Sequence, residues 1–66
     1  MPYIHVRITD DNIDRETKRA IVAGCTQLMV DLLNKDPAKT FVVIEEVAHE
    51  NWGIGYELVA PPQSNE

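Results

Sequence analysis

The first two residues, Met1-Pro2, carry the chemistry that stands out in this chain. A small residue after the initiator Met favours its removal. Removal would leave Pro2 with a free secondary amine, a nucleophile and base with no long side chain to hold still. The other reactive residues read as structural. His5 and His49 are isolated, one on a strand surface and one in a turn. Glu45-Glu46 reads as one solvent-facing carboxylate and one paired one. Cys25 lies on an apolar stripe and reads as a small hydrophobe. Gly53-Ile54-Gly55 lacks the third glycine and the strand-to-helix setting of a dinucleotide fingerprint, so it reads as a turn. With no Cys/His cluster, neither a metal nor a cofactor is expected.

Something must position that amine, and the chain has little with which to do it. Its 66 residues make one domain, expected over residues 1–60, with a flexible tail at 61–66 of disorder-prone composition. A chain this short buries only about 60% of the surface it exposes when unfolded. Such folds need staples. A single cysteine rules out an internal disulfide. Oligomerisation is the option left. Apolar residues make up 44% of the chain, which argues against disorder, and the net charge is −5. An acidic surface gives no electrostatic footprint for nucleic acid or anionic membrane. The lack of a signal-like start or an apolar span, together with the free cysteine, suggests a reducing cytoplasm.

The elements follow from periodicity. Ile4, Val6 and Ile8 alternate with Tyr3, His5, Arg7 and Thr9, which predicts a strand with one face on a core. Pro2 sits at its first position, where a missing ladder donor does least harm. Residues 9–12 form a polar turn. Asp14 is a good N-cap, with Glu16 in the first helical turn. From Arg15 to about Asn34 the spacing of Ile21, Cys25, Leu28 and Leu32 predicts one amphipathic helix. Ala20, Val22, Met29, Val30 and Leu33 make its apolar face broader than one small sheet needs. Part of that face should therefore meet another subunit. Residues 40–47 run apolar for most of their length and predict a strand buried on both faces. Trp52-Gly53-Ile54-Gly55-Tyr56-Glu57-Leu58-Val59 predicts a short hairpin or arm that needs a neighbour to cover it. The expected class is α/β (α+β): a single β-α-β unit with a C-terminal arm, pairing with a second copy to give a four-stranded sheet.

Pro2 after Met1, this β-α-β order and the Trp52-Gly53-Ile54-Gly55 arm together resemble the 4-oxalocrotonate tautomerase group of the tautomerase superfamily. The resemblance spans residues 2 to about 59. It implies dimers with a four-stranded sheet, commonly a hexamer built as a trimer of dimers. It also implies an isomerase in which the N-terminal proline is the general base, moving a proton between carbon and oxygen of an enol acid. Pro2 matches the catalytic proline. Trp52 matches an active-site aromatic, usually Phe, that arrives from a neighbouring subunit. Tyr3, Thr9, Val47 and Ile54 match pocket-lining positions.

Two departures bear on substrate. The family's two substrate-binding arginines fall here at Asn12 or Ile13 and at Phe41. A 2-hydroxymuconate-like dianion would lose its main partners, so the expected substrate is a less anionic keto or enol acid. Arg7, Arg15, Lys18, Arg19 and Lys39 remain as anion partners that the sequence cannot place. An α-amino group titrates at about 7.7–8.0, and burial beside Trp52, Tyr3, Phe41 and Ile54 would lower that. Asn12, the Tyr3 hydroxyl, the Trp52 indole or backbone amides are candidate donors to a developing enolate. The alternative reading is a non-catalytic oligomeric scaffold or small-molecule binding module that kept the fold and lost the reaction.

Overall fold

The computed structural model of the chain describes residues 1–59. The expected tail at 61–66, and the last residue of the expected domain, lie outside the described residues. Strand β1 spans Tyr3–Thr9, helix α1 Arg15–Leu33, and strand β2 Phe41–Val47. Strands β3 (Gly53–Ile54) and β4 (Glu57–Leu58) follow. Two single-turn 3-10 helices, Pro37–Lys39 and His49–Asn51, occupy the connections on either side of β2.

β1 and β2 pair in parallel, from Tyr3 opposite Phe41 through to Thr9 opposite Val47. The α1 crossover makes this parallel pairing possible, since parallel neighbours need a long connection. Alternation sends Ile4, Val6, Ile8, Val42 and Ile44 to one face, where they are half-buried. The other face carries Tyr3, His5, Arg7, Phe41, Val43 and Glu45, all exposed.

The helix begins where its cap allows. The Asp14 carboxylate accepts the Thr17 backbone N–H at 2.9 Å, satisfying one of the first-turn donors. The cap interaction, first through Thr17, holds the Asp14 carboxyl below its usual range. The helix stops at Leu33, one residue short of the expected end. There Asn34 turns left-handed at φ 54°, and its N–H bonds the Val30 carbonyl at 3.0 Å. Asn tolerates that conformation better than most residues. Ile21, Cys25, Met29 and Val30 are half-buried, whereas Leu28 is exposed and Leu32 is 73% exposed. Lys18 reaches from the helix to Glu46 at 2.7 Å.

One expectation fails within the single chain. β2 is not covered on both faces, because Phe41 is 50% and Val43 43% exposed. Only one layer of helix exists to cover a two-stranded sheet, so its second face has nothing to meet. Among the described residues none is fully buried.

The arm forms the predicted hairpin. Gly53 pairs with Leu58 and Ile54 with Glu57 in antiparallel register. Gly55 and Tyr56 make its two-residue turn, at φ 60° and 77°. Two positive φ values in succession are those of a type I′ turn, whose twist suits a tight hairpin. The Val59 N–H closes the hairpin on the Trp52 carbonyl at 2.8 Å. No helix of the described residues is long and apolar enough to cross a membrane.

Candidate active site

Pro2 is half-buried at the open end of the sheet. Its carbonyl accepts the Phe41 N–H at 3.0 Å, which fixes the residue to β2. Its own nitrogen has no place in the ladder. Tyr3 and Phe41 are register partners beside it, on the face away from the helix. The Tyr3 ring lies 6.2 Å from that of His5, in a tilted arrangement.

The other sequence-assigned residues gather at the far end. Thr9 ends β1, and its hydroxyl donates to Asp11 at 2.9 Å. Asp11 also meets His49 Nε2 at 3.0 Å, which ties the loop after β1 to the 3-10 turn after β2. Asn12 sits exposed in that loop at φ 60°, its N–H on the Asp10 side chain at 3.3 Å. The Val47 carbonyl accepts two donors: the Asp10 N–H at 2.9 Å and the Trp52 indole N–H at 3.1 Å. This second bond pins the half-buried Trp52 against the end of β2. The indole N–H is therefore committed within the chain. Ile54, in the hairpin, is 74% exposed.

A cavity of about 400 Å³ opens beside Trp52, lined by Arg7, Glu45, Val47, Asn51 and Trp52. Glu45 organises its polar side. One carboxylate oxygen takes the Arg7 Nε at 3.1 Å and meets His5 Nε2 at 2.8 Å. The hydrogen bond from Arg7, then that from His5, holds the Glu45 carboxyl below its usual range. Glu45 and Glu46 are thus both paired, on opposite faces of β2. The expectation of one solvent-facing and one paired carboxylate holds, since Glu45 is exposed and the half-buried Glu46 meets Lys18; Glu45 has partners on its own face besides.

Six residue steps separate Tyr3 from Thr9, or about 20 Å at the usual strand rise. One chain therefore holds Pro2, Tyr3 and Phe41 at one end of its sheet. It holds Thr9, Asn12, Trp52 and Ile54 at or beyond the other. The two groups do not meet within the chain.

Comparison with known proteins bears directly on this arrangement. Residues 2–60 match the family model described as tautomerase enzyme. The chain belongs to the tautomerase family. Among its relatives is the probable tautomerase K2 of Dickeya dadantii strain 3937, 52% identical over 59 residues, covering 89% of this chain and 88% of that protein. The crystal structure of DmpI from Helicobacter pylori superposes with a TM-score of 0.80 at 37% identity, over 88% of this chain and 95% of that one. A 4-oxalocrotonate tautomerase isozyme from Methylibium petroleiphilum gives a TM-score of 0.74 at 31% identity, over 82% and 86% of the two chains. The β-α-β unit described above is that of this family, and the protein is a tautomerase-like isomerase.

Arg7 is the residue that sequence reasoning left unplaced and the structure sets beside Trp52. A signal did exist. Arg7 shares the period-two face of Thr9, and the parallel register puts it opposite Glu45. Arg15, Lys18 and Arg19 line a separate groove along the helix with Val22 and Ala23.

Proposed function

We propose that this tautomerase works as an assembly of its own copies, with Pro2 as general base once Met1 is removed. The substrate is a keto or enol acid less anionic than 2-hydroxymuconate. The observation that carries the reading is the position of Pro2. It is fixed through its carbonyl at the end of a sheet, among exposed aromatic side chains, while the complementary wall lies some 20 Å along the same chain by strand rise. A neighbouring copy can supply that wall. The exposed Leu28, Leu32, Phe41, Val43, Ile54 and Leu58 favour the same conclusion, since patches of this kind mark interfaces. The family resemblance favours a hexamer, built as a trimer of dimers with four-stranded sheets. A free cysteine suits a reducing cytoplasm.

In this reading the neutral Pro2 amine takes the enol O–H proton and returns a proton to the adjacent carbon, leaving the keto acid. Placing the amine among Tyr3, Phe41 and, from a neighbour, Trp52 and Ile54 disfavours its ammonium form and keeps it a base near neutral pH. Asn12 or Ile13, and Phe41, fall where the resemblance places the family's arginines, which is why a dianion is the poorer substrate. The test is ketonisation of an aryl enolpyruvate by wild type and Pro2→Ala. Loss of the base lowers kcat by about 10²–10⁴-fold. Equal rates would sink the mechanism, and intact mass of the native protein shows whether the amine is free.

A further inference from the structure

We propose that Arg7 holds the substrate carboxylate, and that the site takes an enol monocarboxylate with an apolar body. This inference rests on the reading above and deepens it.

The cavity beside Trp52 offers an anion few partners. Of its five lining residues, Arg7 alone is cationic. The Trp52 indole N–H is bound to Val47 and cannot serve. Asn51 brings a neutral amide. A guanidinium has five N–H donors in a planar fork, and Arg7 has one of them, on Nε, bonded to Glu45. The terminal nitrogens remain for a ligand. Glu45 thus works as an orienting group: it tethers the guanidinium through Nε on the strand face and leaves the terminal nitrogens to a ligand in the cavity that Arg7 lines.

Charge then selects the ligand. Arg7 and Glu45 cancel to zero across the cavity wall, so a first carboxylate meets the guanidinium edge with only Glu45 opposing it. A second carboxylate would find no second cation there, and would add its repulsion to that of Glu45. Lys18 is engaged with Glu46 on the helix side, and Arg15 and Arg19 line the helix groove. The rest of the wall is Val47 and the Trp52 ring, which suits a flat or aliphatic body. An enol acid bound this way has its carboxylate on Arg7 of one chain and its reacting enol toward the Pro2 of a neighbour.

The test compares three substrates: an aryl enolpyruvate, its methyl ester, and 2-hydroxymuconate. Wild type, Arg7→Gln, Arg7→Lys and Pro2→Ala are assayed against each. In Arg7→Gln, kcat/KM for the aryl enol acid falls about 10- to 100-fold, mostly through KM, as expected for a lost charge-assisted hydrogen bond. The ester, which brings no charge to the guanidinium, loses far less than the acid does in Arg7→Gln. Arg7→Lys keeps the charge and recovers part of the loss. Wild type prefers the monoacid to the diacid. An Arg7→Gln enzyme of native mass and melting temperature that handles the acid as wild type does would overturn the proposal. So would equal losses on acid and ester. Either result leaves the Pro2 mechanism standing, because that mechanism falls only if Pro2→Ala matches wild type.

Discussion

Glu45 serves two neighbours with one oxygen, and its acidity follows. Arg7 and His5 both favour the ionised carboxylate, so its folded-state pKa lies below the unfolded one. A group depressed in this way stabilises the fold fully at neutral pH. Its contribution fades as pH falls below about 4, the ordinary glutamate range, and through the folded value. Glu45→Gln should therefore flatten the acid side of the stability curve. Urea midpoints at pH 7 and pH 3.5, at one fixed protein concentration, read the difference. Trp52 separates two contributions of a single side chain. Trp52→Phe keeps a ring in the wall but loses the bond to the Val47 carbonyl, which still holds the Asp10 N–H. The expected cost is about 1 kcal/mol of stability with activity largely kept. Trp52→Ala removes the wall itself, and activity should fall much further. Paired melting and kinetic measurements distinguish the two.

The elements were legible wherever a local signal was enough. The alternation of Ile4, Val6 and Ile8 gave β1, Asp14 gave the start of α1, and the run from Thr40 to Val47 gave β2 to within one residue. Less legible were the 3-10 turns at 37–39 and 49–51, whose i to i+3 bonds, from Thr40 to Pro37 and from Trp52 to His49, leave little periodic trace. The exposed face of β2 was hidden for another reason. Phe41 and Val43 read as core because apolar composition records that a residue is covered in the end, not by which chain. The cavity role of Arg7 depended on register, which couples positions 38 apart and is set by the fold rather than by local spacing. The hairpin offers a sharp test at this scale. Gly55 has φ +60°, and a Cβ there would meet nothing within 4 Å beyond its own chain neighbours. Gly55→Ala therefore meets no clash, only the backbone cost of a left-handed conformation. A loss of about 1 kcal/mol is expected, seen as earlier melting and faster amide exchange in β3 and β4.

At the scale of the molecule, a fold with no fully buried side chain among its described residues is expected, on the proposed reading, to draw stability from neighbouring copies. Stability and protein concentration should then be linked. Leu32→Glu places a charge on the exposed stripe of α1, at a position that is 73% exposed in the single chain. Light scattering should report a smaller particle, and the melting temperature should drop. An unchanged mass would mean that this stripe faces water in the assembly.

The distance between Pro2 and Trp52 along one sheet has a genetic consequence. If each site is shared, a chain is two half-sites back to back, and damage to one leaves the other sound. Pro2→Ala and Trp52→Ala chains, each impaired alone, should regain part of the lost turnover when unfolded together and reassembled as a mixture. A duplicated gene would inherit the same freedom. One copy could let its proline go and the other its aromatic wall, and selection would still find an enzyme wherever the two products met.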